Sequence, residues 1–349
     1  MLTKKQVGEI RNFLNTSNNP LFLFDNDPDG LCSFLLLQKY VKKGKGFPIK
    51  SFPDLNESYF RKITELNPDC LFILDKPVIS KEFFARVKEI NLPVVWIDHH
   101  EIERKNIPDF VNYYNPLFNK RKTEEPVTTL CFQVNNNKNL IWLAVIGSIS
   151  DRFFPRFYSE FKKSYPDLSI NSKEAFDIFY NSQIGKIARI FSFALKDTIT
   201  NVISMIKFLM KTDTPYEILE DSPLNYTMHK RFQQIDSKYQ RLLKKAVELA
   251  NDSKKILFFQ YSGELSISSD LSNELAFRFP KKVIVVAYVS GIKATISLRG
   301  KGIRKKFFEA IKDLNNATGG GHEDAAGAQM RVDDLKIFKE RLEKLIEKN

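Results

Sequence analysis

The sequence predicts an α/β protein in three parts, and three observations carry that reading. Short apolar runs ending in acidic residues alternate with longer segments of helical spacing over residues 1–155. Residues 156–252 are rich in Phe, Lys and Arg, show helical patterning and carry few turn signals. Strand-like and helix-like segments then alternate again over 253–349. The first part is expected to be a mostly parallel, Rossmann-like sheet with helices on both faces. The second reads as a helical connector, and the third as a smaller C-terminal α/β domain.

Taken in order, "PLFLF" is short, bounded by Pro20 and aromatic, as a buried strand is. "LCSFLLLQKYVKK" turns basic at its end, which complements a helix dipole. "SYFRKITEL" reads as a helix, "CLFILD" as a strand ending on Asp75, "SKEFFARVKEI" as a helix capped by its Ser, and "LPVVWIDHH" as a further strand. "NLIWLAVIGSIS" is read as a buried helix with Gly147 and Ser148 as small packing residues ahead of Asp151. A long amphipathic helix carries Phe232, Ile235, Tyr239, Leu242, Leu243, Ala246 and Leu249 on one stripe and ends near Asn251-Asp252. "KILFFQY", "KVIVVAYV" and "KATISLRG" read as strands, "SDLSNELAFRF" as a helix and "DDLKIFKERLEKLIEK" as a closing helix.

Composition narrows the partners. The formal charge of +12 over 349 residues favours an anionic ligand, nucleic acid being the commonest, although a lysine-rich surface also serves solubility alone. Cys32, Cys70 and Cys131 are too few and too scattered for a disulfide framework or a zinc-thiolate site, so a reducing, cytoplasmic setting is expected. No segment has the apolar length of a membrane span, so no membrane partner is expected.

The chemistry concentrates at strand ends. Asp25, Asp27 and Asp29 follow the first apolar run two residues apart, and three such anions require a cation between them. A calcium loop of the D-x-D-x-D-G type is excluded because its twelfth position, which must supply a bidentate Glu, is Leu36. With Asp75 and Asp98-His99-His100 ending two further parallel strands, the acidic termini gather on one sheet edge. Carboxylates with imidazole suit Mn²⁺ or Mg²⁺ rather than a thiolate-seeking metal. Asp25, Asp27, Asp29, Asp75, His99 and Asp151 outnumber what one open octahedral ion takes from protein, so two divalent cations are expected, Mn²⁺ ahead of Mg²⁺, with Asp75 placed to bridge them.

The ordered set "DNDPDG", "LFILD", "IDHH", "GSISD" and "GGGHEDAAG" resembles the DHH phosphoesterase superfamily with its DHH-associated C-terminal domain. That superfamily includes RecJ-type exonucleases, nano-RNases and cyclic-dinucleotide phosphodiesterases. The resemblance implies that Asp25 and Asp27 hold one ion with Asp75, and that Asp29, Asp75, His99 and Asp151 hold the other. His100 would touch the scissile phosphate, and Asp98 would orient the neighbouring imidazoles. It further implies a nucleotide clamp made of Arg299, Thr318, Gly319, Gly320, Gly321 and His322, since Arg offers a forked donor set and glycines admit close backbone approach.

Two features depart from the usual pattern. Lys76-Pro77 follows Asp75 where many relatives have small or amide residues, so Lys76 either meets a substrate phosphate or competes with a metal. Glu323 and Asp324 place negative charge beside His322. The expected activity is a two-metal phosphodiesterase trimming single-stranded DNA or RNA, or short oligonucleotides, to mononucleotides. The alternatives are a phosphodiesterase or phosphatase of cyclic dinucleotides or small nucleotides, and a non-catalytic scaffold of the CDC45 kind within a replication or repair complex. Inorganic pyrophosphatases share the first domain, but the glycine motif counts against them.

Overall fold

A computed structural model describes residues 1–50, 55–252, 255–314 and 317–347, the side chains of Asp252 and His322 excepted. The chain forms two compact units, residues 1–232 and 233–349. The domain boundary expected after residue 252 falls beside residues 253–254, which lie outside the described residues.

Unit one opens with α1 (Lys4–Thr16), fixed at its start by a reciprocal cap between Thr3 and Gln6. It continues through β1 (Pro20–Asp25), α2 (Pro28–Val41), β2 (Lys45–Ile49), α3 (Phe60–Leu66), β3 (Cys70–Leu74), α4 (Lys81–Glu89), β4 (Val94–Ile97) and β5 (Val111–Tyr114). The five strands pair in the order β2-β1-β3-β4-β5, every pair parallel. Strand alternation divides the core. Phe22, Phe24, Phe72, Leu74, Val95 and Ile97 face one layer, while Leu21, Leu23, Leu71, Ile73, Val94 and Trp96 face the layer holding α3 and α4. Each fully buried Phe or Leu contributes about 1.5–3 kcal/mol, so the central strands form a stiff platform for whatever sits at their ends.

The first layer continues into α5 (Val127–Asn135) and α6 (Ile141–Ser150), the latter helical as its apolar run predicts. Gly147 is required here, because a Cβ on it would lie 2.0 Å from Thr128 Oγ1 of α5. Helices α7 (Tyr158–Ser164), α8 (Ala175–Asn181), α9 (Gln183–Ala194) and α10 (Ile199–Leu209) share this core with the sheet through residues such as Phe161, Ile178, Phe191 and Leu209. The short α11 (Tyr216–Leu219) leads to α12 (Tyr226–Asp252). On α12, Ile235, Tyr239, Leu243, Ala246 and Ala250 are buried, whereas Leu249 is exposed, so Ala250 takes the stripe position expected of Leu249. His229 is structural, its Nε2 lying 2.8 Å from the Ile218 carbonyl.

Unit two comprises β6 (Ile256–Ser262), α13 (Ser268–Arg278), β7 (Val283–Ser290), β8 (Lys293–Arg299), α14 (Ile303–Ile311), β9 (Thr318–His322), β10 (Ala325–Arg331) and α15 (Leu335–Glu347). Its sheet runs β6-β7-β8-β10-β9, parallel only between β6 and β7. Val285, Ile296, Leu298, Phe307 and Phe338 centre its core against α14 and α15.

Candidate metal centre

All strands of the first sheet point the same way, so their carboxyl ends share one edge, and the acidic residues lie there. Asp25 is the last residue of β1, and Asp27 caps α2, its Oδ1 accepting from Gly30 N at 2.9 Å. Gly30 permits this tight strand-to-helix turn, because a Cβ would come within 2.3 Å of the Asp25 carbonyl oxygen. Asp29, in the first turn of α2, is buried, and its carboxylate receives Val127 N at 3.0 Å, Thr128 N at 2.8 Å and the Thr128 hydroxyl. The N-terminus of α5 thus grips Asp29, a favourable end for an anion.

Asp75 follows β3 with φ +59, a left-handed backbone that costs a non-glycine residue about 1–3 kcal/mol and is held here by its surroundings. It is 3 % exposed, and its Oδ1 accepts no hydrogen bond among the described residues. That same oxygen faces His99 Nε2 at 3.4 Å and His100 Nδ1 at 3.8 Å. His99 Nε2 also lies 3.6 Å from Asp151 Oδ2, at the end of α6. Asp98 is fully buried; it accepts from Tyr113 OH at 3.3 Å and bonds His100 Nδ1 at 2.8 Å.

Candidate ligand atoms fall into three overlapping groups, Asp25-Asp27-Asp75, Asp29-His99-Asp151 and Asp75-His99-His100, each with its atoms within 4.8 Å of one another. Electrostatics agree with a cation site. Burial first, then the charges of Asp25 and Asp29, push Asp27 up to about 8. Asp75 is pushed well above the carboxylate range by burial and by Asp29 and Asp27. Burial opposes the charge on His100, but its bond to Asp98 and the Asp98 charge outweigh this and hold it up to about 9. An orphaned buried carboxylate oxygen, convergent oxygen and imidazole donors, and carboxylates that repel one another fit hard or borderline divalent cations.

Each residue expected at the sheet edge is present there. Lys76, whose partner the sequence left open, is 1 % exposed and places Nζ 3.2 Å from Asp25 Oδ1 and 3.2 Å from the Lys50 carbonyl oxygen. Sequence reasoning missed Thr128 and the α5 N-terminus as the grip on Asp29. The signal was only a Pro126 ahead of a Thr pair, nearly a hundred residues from Asp29.

The clamp residues lie in unit two. Arg299 donates from Nε to Asn273 Oδ1 at 2.7 Å and from Nη2 to Ser269 Oγ at 3.1 Å. Thr318, Gly319, Gly320 and Gly321 form β9, an edge strand paired with β10, and not a loop. A Cβ on Gly319 would lie 2.8 Å from Phe307, and Gly321 would meet the Ala325 carbonyl oxygen at 2.3 Å with φ +156. The His322 backbone closes β9, and its side chain lies outside the described residues. Asp324 Oδ1 accepts from Gly302 N at 2.7 Å, which ties this acidic turn to the start of α14.

Comparison with known proteins agrees with this geometry. The model of the DHH family N-terminal domain matches residues 21–145, and that of the DHHA1 domain matches 252–348. No curated protein matches. Among solved structures, RecJ of Thermus thermophilus in complex with Mn²⁺ is similar over 99 % of this chain and 54 % of its own, at 15 % identity and TM-score 0.69. The chain therefore spans about half the length of that protein. CDC45 of Entamoeba histolytica matches at 12 % identity and TM-score 0.53, covering 97 % of this chain and 98 % of its own. The pGpG-specific phosphodiesterase PggH of Vibrio cholerae matches at 12 % identity and TM-score 0.50, covering 95 % and 99 %. At such identities the likeness is one of fold. With two family models in sequence order over most of its length, and their acidic motifs assembled on one sheet edge, this chain belongs to the DHH phosphoesterase superfamily.

Proposed function

We propose that the chain is a cytoplasmic metal-dependent phosphodiesterase that shortens single-stranded DNA or RNA, or short oligonucleotides, to mononucleotides. The observation that carries this is the buried Asp75 carboxylate, with one oxygen that accepts no hydrogen bond among the described residues, set between the Asp25-Asp27 and the His99-Asp151 groups. Asp25 and Asp27 would hold one divalent cation with Asp75, and Asp29, Asp75, His99 and Asp151 the other, Mn²⁺ ahead of Mg²⁺. Bound there, the ions supply charge neutralisation at phosphorus and ease ionisation of the attacking water.

The chain's own groups do the rest. Asp98 fixes the His100 ring through Nδ1 and keeps it protonated near neutrality, so Nε2 is the hydrogen-bond donor for a phosphate oxygen. Asp29, gripped by α5, holds the start of α2 against the sheet edge and so keeps Asp27 in register. In unit two, Arg299, pre-set by Asn273 and Ser269, offers a fork to a phosphate, and the glycine edge of β9 admits backbone contact with the nucleotide to be released. The net positive charge suits a polyanion, and three free buried cysteines suit a reducing compartment. No described helix is long and apolar enough to cross a membrane.

One observation favours a second reading, a non-catalytic partner in a replication or repair assembly: the Lys76 ammonium sits on a candidate ligand, Asp25. The deciding experiment incubates the chain with end-labelled DNA and RNA ladders, a dinucleotide and a cyclic dinucleotide, each with Mn²⁺ or Mg²⁺, beside Asp75→Ala. Metal-dependent shortening of the ladders, lost in Asp75→Ala, is expected. Equal rates on dinucleotide and long strand would assign it to small nucleotides, and cleavage undiminished in Asp75→Ala would place the activity elsewhere. No cleavage, with stable incorporation into a larger complex, would favour the scaffold.

A further inference from the structure

Lys76 is among the largest fully buried side chains of the protein, and a buried ammonium persists only where partners repay its lost hydration. It has them at the sheet edge. From the end of β3 its side chain reaches Asp25 at the end of β1 and the Lys50 carbonyl just past β2, with Nζ 3.2 Å from each oxygen. The backbone is held as well, since Trp96 Nε1 donates to the Lys76 carbonyl at 3.0 Å.

We propose that Lys76 is a positioning residue that makes the metal centre asymmetric: by holding Asp25 it weakens the divalent-cation subsite at Asp25-Asp27-Asp75 relative to the one at Asp29-His99-Asp151. The inference rests on the metal-centre reading above. Apart from the shared Asp75, each subsite has two carboxylates of its own, but the Asp25 side also has a full positive charge on one of them. The other side differs in kind. Asp29 is met by backbone N–H groups, which carry only partial charge. Two cations do bear on Asp151, but Arg152 is exposed and stacked over Phe176 at 4.7 Å, where solvent weakens it, and the charge on His100 falls on Asp75, the ligand that both subsites share. A buried unit charge beside a ligand opposes a divalent cation strongly enough to separate the two affinities by about tenfold or more. One ion then stays resident while the other follows metal concentration or arrives with an anionic substrate.

The test is Mn²⁺ binding to the metal-free full-length chain, read by calorimetry and by electron paramagnetic resonance of free Mn²⁺, with no substrate present. The parent should bind one ion at least about tenfold more tightly than a second. Lys76→Gln, which keeps an N–H donor for the Lys50 carbonyl but removes the charge, should tighten the weaker step by a similar factor. Lys76→Arg, which keeps the charge, should preserve the separation. Asp27→Asn should remove the weak step and Asp151→Asn the tight one. Two equal steps in the parent, or Lys76→Gln titrating like the parent, would overturn the asymmetry while leaving a two-ion centre. Repulsion between the two ions alone also separates the steps, so the shift of the weaker step in Lys76→Gln against Lys76→Arg decides, and a weaker step that Asp151→Asn removes in place of Asp27→Asn overturns the idea even if Lys76→Gln fails to fold. No Mn²⁺ bound at all would overturn the metal-centre reading and this inference with it.

Discussion

The carboxyl edge of the parallel sheet and the glycine edge of the mixed sheet carry functional groups in opposite ways. In the first, every strand runs in the same direction, so Asp25, Asp75 and Asp98-His99 arrive together and charge accumulates until a cation is needed. In the second, β7, β8, β10 and β9 alternate in direction, so the carboxyl ends of neighbouring strands fall at opposite ends; the candidate residues are Arg299 at the end of the central β8, and Thr318 with its glycines on the edge strand β9. Strand direction thus decides whether a sheet gathers its carboxyl ends, with the ionisable side chains on them, at one edge or divides them between two.

Substitutions that break this contrast should rank accordingly. Asp75→Ala removes the carboxylate proposed to be shared between subsites and should lower metal-dependent turnover by about a thousandfold or more, together with Mn²⁺ binding; a rate within tenfold of the parent would dissolve the contrast. Asp98→Asn leaves ring geometry but withdraws the charge holding His100 protonated, so turnover should fall by about 10–100-fold and the alkaline limb of the pH profile should move to lower pH. Arg299→Ala should raise KM by about tenfold while leaving kcat and Mn²⁺ affinity unchanged, because the role proposed for it is to bind and not to react. Lost Mn²⁺ affinity in that variant would erase the separation of roles.

The smallest effect is a pH slope in the metal-free protein. Asp27 is pushed from 3.8 up to about 8 in the folded chain, so between those values the folded state holds a proton that the unfolded state has lost. Its contribution is present below pH ~4 and disappears as pH rises through ~8. His100, raised from 6.5 to about 9, acts in the same direction over its own interval. Melting temperature should therefore fall as pH is raised from 5 to 9 without metal, and Mn²⁺ should flatten or reverse the slope. Calorimetric scans on both forms check this, and a metal-free melting temperature that climbs with pH would contradict the crowding of carboxylates.

Strands buried on both faces were legible because their apolar runs are continuous: "PLFLF", "CLFIL" and "VVWI" became β1, β3 and β4. The edge strands β2, β5 and β9 were not, although β6, also at an edge, was legible as "KILFFQY". β2 is "KGFPI", whose Gly and Pro argue against a strand and are tolerated only because β2 borders the sheet. β9, "TGGGH", has no apolar alternation to mark a strand, and its pairing with β10 is a tertiary feature that glycine cannot encode in a pattern.

The acidic motifs, their order and their attachment to strand ends are properties of the sequence itself, since apolar periodicity sets strand ends and the ligand types follow directly. Which cation faces which anion was decided only in three dimensions. That Lys76 reaches Asp25 and Lys50, that α5 grips Asp29 through Thr128, and that Asp75 adopts φ +59 with an unbonded oxygen all depend on sheet order and helix packing between distant segments. Local patterning governs backbone conformation over a few residues, whereas electrostatic pairing is set by distances that exist only once the strands have found their neighbours.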